Sequence, residues 1–213
     1  MKLNWKIVIA VIAGFALLSS KAFGQSSNSN NNAMVKLFLD SFTKAFGALN
    51  EAQAKSIAQV VLSFIANGDR DLRKLAYILA TAWHESKLLL VKEKRAAPGT
   101  DVYSKQERYW NTGFYGRGFV QLTHESNYKK LGNVLGIDLV GNPDLALDRI
   151  YSADILVIGM LEGLFTGAAL SRYINNGQAD YINARKVVNG VDRADLIAGY
   201  TATIIKNMEY PIV

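Results

Sequence analysis

The chain has 213 residues, half of them hydrophobic, a fifth charged, only 3 Pro and no Cys. That excludes a disordered or collagen-like polymer, a disulfide framework and any thiolate nucleophile or cysteine metal site, and two His cannot by themselves build a two- or three-His catalytic metal centre. The formal charge of +6 falls to +3 once Lys2, Lys6 and Lys21 of the first 24 residues are set aside, and no basic run interleaved with aromatics follows, so no nucleic-acid partner is expected.

Met1–Lys6 carries two lysines, residues 7–18 are continuously apolar, and residues 19–24 are small and mixed. This is the layout of a secretory signal with Ala22-Phe23-Gly24 at the cleavage point. Trp5 to Phe23 is alternatively a short retained anchor with Lys21 snorkelling, which would give membrane association through residues 5–23. On either reading the folded part lies outside the cytoplasmic membrane, exported or anchored. Residues 25–32, QSSNSNNN, have no apolar side chain and read as a flexible linker. No further linker or internal repeat follows, so residues 33–213 are expected to form one domain.

That domain is mainly helical by period. Val35, Leu37, Phe38, Phe42, Phe46 and Leu49 form one stripe, and Ile57, Val60, Val61, Phe64 and Ile65 a second that stops at Asn67-Gly68. Asp69 or Asp71 can cap a third helix with the stripe Leu72, Leu75, Ala76, Leu79 and Trp83. Further helices are expected over 127–135, 152–164, 179–188 and 195–208, with glycine breaks between them. Residues 118–123 are the one extended candidate. The fold class is mainly α with at most a small β element, preceded by the N-terminal hydrophobic segment.

Chemistry begins where the third helix ends. Glu85 lies beside Trp83 at the negative end of the helix dipole, and both features disfavour an ionised carboxylate, as a general acid requires. His84-Glu85 also opens a zincin-like string, but Leu88 replaces the second histidine, so a metalloprotease is excluded and no metal or cofactor is expected. Glu93, Asp101 and Glu107 lie in an aperiodic segment, 91–115, that reads as a loop on a helical scaffold. Two carboxylates across a groove can hydrolyse a glycosidic bond. In Tyr115–Tyr128, Gly116 and Gly118 permit tight turns, and no Lys-Ser/Thr follows to make a phosphate loop. In an extended segment Phe119, Gln121 and Thr123 would share one face, so Gln121 and Thr123 could project together into a groove.

These blocks together resemble the family 19 glycoside hydrolases, the chitinases and phage-type endolysins of the lysozyme-like superfamily. His84-Glu85 is similar to the family's acid-bearing helix end, and Lys105-Gln-Glu-Arg108 to its second-carboxylate block. Residues 115–128 resemble the Gly-Arg-Gly and Gln-Leu-Ser/Thr signature, and 136–145 the segment that follows it. Val187-Val-Asn-Gly190 with residues 195–200 resembles the C-terminal substrate block. The resemblance implies a lysozyme-like α-helical domain in which Glu85 protonates the leaving oxygen, Glu107 activates water and Thr123 holds that water. It also implies that Gln121, Asn127 and Asn189 bind N-acetyl sugars and that His84 supports the site by hydrogen bonding. Departures are Ser86-Lys87 where many members have Thr-Gly, and a short 85–115 segment in which Glu93 rivals Glu107. Glu125, in a second His-Glu-Ser, opens a helix and reads as a capping or surface residue. The expected activity is that of a monomeric peptidoglycan hydrolase of endolysin or muramidase type, working by inversion. The alternatives are a chitinase, a lytic transglycosylase relying on Glu85 alone, and a non-catalytic wall-binding or virion module.

Overall fold

A computed structural model describes residues 25–208; the hydrophobic segment expected over 1–24 lies outside the described residues. Seven α-helices follow in order: α1 (Gln25–Phe46), α2 (Glu51–Asn67), α3 (Leu72–Ser86), α4 (Asp101–Gln106), α5 (Glu125–Leu135), α6 (Arg149–Leu161) and α7 (Ala194–Lys206). Short 3-10 turns and one two-stranded hairpin, β1 (Ile174–Asn175) with β2 (Gln178–Ala179), connect them; the hairpin is antiparallel, with Ile174 opposite Ala179. The expected mainly α class with a small β element is the observed one. Among the described residues no helix is long and apolar enough to cross a membrane.

Each helix starts and stops for local reasons. Asn50 caps α2 in a capping box with Gln53, and Asp71 rather than Asp69 caps α3 by accepting from the Arg73 amide. Asp69 is occupied instead by an ion pair with the buried Lys74. At its C-terminus α3 closes with the Leu88 amide donating to the Ala82 carbonyl and Lys87 in the left-handed region.

The sequence predicts a one-sided stripe for α3, but the structure buries it all round. Every residue from Lys74 to Ala82 is buried, because α2, α6 and above all α7 pack against it, with α2 and α6 also packed on each other. Thr81 survives there by donating to the Tyr77 carbonyl. Each fully buried Leu or Ile, such as Leu75, Ile78 and Leu79, contributes roughly 1.5–3 kcal/mol. At the end of this helix an aromatic cluster joins three elements: Phe46 of α1 stacks on Trp83 at 4.9 Å and meets Tyr200 of α7 edge-on at 5.4 Å. The last turn of α3 is thereby tied to α1, which is tied in turn to α7.

Three local expectations are corrected. Residues 25–32, read as a linker, lie in the first turns of α1. Residues 118–123 are a turn rather than an extended strand, closed by bridges from Arg117 to Lys92 and Leu122, with Gln121 at φ 53°. Residues 179–188 are β2, a turn and a 3-10 segment over 183–187, because Asp180 accepts from the Asn183 amide and side chain and tightens the chain there. The 91–115 segment is also less irregular than expected, since Thr100 caps the short α4 by accepting from the Tyr103 amide.

Candidate active site

A cleft of about 350 Å³ opens where the end of α3, the 118–124 turn, the start of α5 and the 183–189 segment meet. Glu85, Tyr109, Gln121, Thr123, His124, Asn127 and Asn189 supply its polar lining, and Leu122, Phe165 and Val188 an apolar flank.

Glu85 sits one residue from the end of α3 with its side chain 19% exposed. Its Oε1 lies 2.7 Å from Nη1 of Arg185, whose own side chain is 3% exposed. That nitrogen has no aligned hydrogen-bond acceptor among the described residues, so the contact is an ion pair at close range rather than a directed bond. Arg185 Nε donates to the Asp192 carbonyl, and the Arg185 carbonyl accepts from the Asn189 amide. One residue therefore holds the Glu85 carboxylate with its side chain and the sugar-binding candidate Asn189 with its backbone. Arg185 was not singled out by motif or period; its position four residues before Asn189 is the signal that could have found it.

The signature turn is held from beneath. Arg117 is buried and donates to Asp144 Oδ1 at 2.7 Å, to the Gly113 and Tyr115 carbonyls and to the Tyr128 hydroxyl. Its guanidinium also lies 4.2 Å from the Tyr115 ring centroid. Two of the turn's glycines are required by space. A Cβ at Gly118, where φ is 73°, would sit 2.4 Å from the Ala146 carbonyl, and one at Gly116 would sit 2.8 Å from Gln121 Oε1.

Within the turn, Gln121 spends both amide hydrogens on the Val91 and Gly118 carbonyls, which leaves Oε1 as its free polar atom. Thr123 donates its hydroxyl hydrogen to the Gln121 carbonyl at 2.8 Å, so toward the cleft it offers only lone pairs. Asn127 donates to the Thr123 carbonyl at 3.0 Å and keeps its second N–H and its oxygen.

Neither candidate second carboxylate lines the cleft. Glu93 is committed: Oε1 accepts from Gln106 Nε2 at 2.9 Å and from the Tyr109 hydroxyl at 2.8 Å, and Oε2 accepts from the Gly116 amide at 2.8 Å. Burial and this carboxylate push the Tyr109 phenol up to about 12. Glu107 directly follows α4, is 51% exposed, and pairs with Arg95, whose guanidinium lies over Tyr103 and Trp110. His84 lies outside the lining as well; burial holds it below its ordinary value, and Glu85 only partly offsets this. Glu125 is exposed on the first turn of α5, away from the cleft lining. No group of three His, Asp or Glu gathers among the described residues in a way that could hold a metal ion.

Comparison with known proteins adds a family. The model of the family described as chitinase class I, glycoside hydrolase family 19, matches residues 27–158. Chitinase 8 of Oryza sativa subsp. japonica is 69% identical over 40 residues, 18% of this chain and 15% of its own. The acidic 27 kDa endochitinase of Solanum lycopersicum is 36% identical over 84 residues, 38% of this chain and 34% of its own. An inactive chitinase-like protein 1 of Hevea brasiliensis is 52% identical over 40 residues, 18% of this chain and 13% of its own. The chain thus aligns with about a third or less of the length of these curated relatives.

Proposed function

The chain belongs to the class I chitinase family of glycoside hydrolases, family 19, and from that premise we propose that it hydrolyses the β-1,4 glycosidic bonds of peptidoglycan outside the cytoplasmic membrane. The observation that carries the reading is Glu85, a carboxyl group at the end of a rigid helix, facing the same cleft as Thr123, Asn127 and Asn189. In the proposed reaction Glu85 protonates the leaving glycosidic oxygen while a water attacks the anomeric carbon from the opposite face. Thr123 accepts one hydrogen of that water, since its own is already donated, and so leaves the water's lone pair free to attack. Glu107 takes the proton, because Glu93 has its oxygens engaged by three donors while Glu107 is half exposed on a surface pair. The product is inverted. Asn127, Asn189 and the Gln121 oxygen bind the N-acetyl sugars.

Peptidoglycan is preferred over chitin for this chain because its N-terminus reads as an export or anchoring segment and its domain is free of cysteine. The chitinase reading draws on the names of the relatives in rice and tomato. A transglycosylase route is favoured by one observation, that Glu107 stands outside the cleft lining, since Glu85 alone would then serve as acid and base. Incubation with purified peptidoglycan and, separately, chitin oligomers, followed by mass spectrometry, tests all of these. Hydrated reducing ends from peptidoglycan are expected. Anhydro ends would replace hydrolysis with transglycosylation, products from chitin alone would make it a chitinase, and wall binding without any product would leave a binding module.

A further inference from the structure

His124 is the most strained residue of the cleft. Its φ of 73° and ψ of 133° lie in a region open to glycine and costly for a residue with a β-carbon. Lys87 and Arg193 also have positive φ, but with ψ of 32° and 19° they sit in the tolerated left-handed well at helix ends. The backbone at His124 is held on both sides: its amide donates to the Phe114 carbonyl at 2.8 Å, and its carbonyl accepts from the Asn127 and Tyr128 amides.

The side chain makes no hydrogen bond that would relieve this position. His124 stands at the N-cap of α5 and makes no capping bond, a task Ser, Asp or Asn would perform, while Gly would remove the strain. Its ring is exposed in the cleft lining and rests edge-to-face against Tyr109, with centroids 5.4 Å apart at 83°. Tyr109 is itself fixed by its hydroxyl bond to Glu93. The imidazole is thus held in orientation by a ring that is itself anchored, on the same cleft as Glu85 and Asn127.

We propose that His124 is a substrate-binding residue: the strained backbone aims its imidazole into the cleft, where a ring nitrogen hydrogen-bonds a hydroxyl or N-acetyl group of the bound amino sugar. The proposal rests on the amino-sugar reading of the cleft. It requires fold stability and substrate affinity to move in opposite directions when the residue is changed, which a merely structural histidine would not do.

The test uses the full chain with His124→Gly and His124→Asn, measuring Tm by calorimetry and kcat and KM on soluble peptidoglycan fragments. His124→Gly is expected to raise Tm by roughly 2–6 °C as strain is released, and to raise KM about tenfold, as loss of one well-placed hydrogen bond does. kcat should change much less than KM. His124→Asn, which keeps a β-carbon at the strained position and retains donor and acceptor atoms, should recover part of the affinity without the gain in Tm. An unchanged KM in His124→Gly overturns the proposal, and so does a fall in its Tm. If the wild-type protein turns over no substrate, the hydrolase reading fails separately. Co-sedimentation with peptidoglycan then decides this one: weaker retention of His124→Gly upholds it and equal retention overturns it.

Discussion

Glu85 and Glu107 are assigned complementary steps, yet they are held in unlike ways. Glu85 lies at the end of a buried helix that packs through Trp83 against α1 and along its length against α7, and its carboxylate meets an arginine that is 3% exposed. Glu107 follows a six-residue helix in the 91–115 segment and is 51% exposed, with Arg95 as its partner at the surface. A buried charge pair is costly to break from one side, whereas an exposed pair contributes about 0–1 kcal/mol. The proposed acid is therefore positioned by the core, and the proposed base by a surface pair at the end of a short helix outside the cleft lining.

The sharpest way to break this contrast is at the acid itself. Glu85→Gln should lower kcat about 10²–10⁴-fold with the fold retained, measured as release of reducing ends; retained turnover would remove Glu85 from the mechanism. Next comes its partner. Arg185→Met leaves Glu85 facing a partly buried site without its counter-charge and also releases the Asp192 carbonyl, so stability should fall by about 3 kcal/mol in denaturant titration, with activity falling too. The two rival bases should then separate by readout. Glu107→Gln should lower kcat about 10²-fold with stability within about 0.5 kcal/mol, whereas Glu93→Gln should cost about 1.5–3 kcal/mol, because it weakens three bonds to a carboxylate. The reverse pattern would make Glu93 the base.

Smaller effects follow from titration. Hydrogen bonds from Lys92 and Arg117 hold the Asp144 carboxyl below its ordinary 3.8. The folded chain therefore binds that proton less readily than the unfolded one, and the contribution is full above 3.8 and lost as pH falls through the lowered value. Asp144→Asn should flatten the acid limb of a stability–pH curve. The smallest expected change concerns His84, held below 6.5 by burial. Folding favours its neutral form, so stability should be full above 6.5 and decline as pH drops toward the lowered value, and His84→Gln should remove that slope.

Much of this was legible in the chain because helices announce themselves by period and chemistry by motif. The stripes of α2 and α3 and the stop at Gly68 followed from local signals, and so did the interest of Glu85, Gln121 and Thr123, while Asn127 and Asn189 came only with the family resemblance; all five line one cleft. What did not follow depended on partners distant in sequence. Burial of both faces of α3 requires knowing that α2, α6 and α7 surround it. Arg185 meets Glu85 across 100 positions, and no spacing rule reports such a contact. Residues 120–123 alternate polar and apolar side chains as an extended segment would, and that alternation does not reveal the positive φ at Gln121 that makes 118–123 a turn. Likewise, nothing in its composition distinguishes Glu93 as a structural anchor; its role appears only once Gln106, Tyr109 and Gly116 are seen to converge on it.

The stack of Phe46 on Trp83 has a mechanical consequence. Phe46 is the final residue of α1, and Trp83 lies two positions before Glu85. The end of α1 is joined through that ring pair to the last turn of the helix that carries Glu85. The signature turn is braced independently, by Arg117 donating to Asp144 and by the Phe119 amide donating to the Ser152 hydroxyl. Glu85 and Thr123, proposed above as acid and water holder, are thus braced by separate sets of contacts from different parts of the fold.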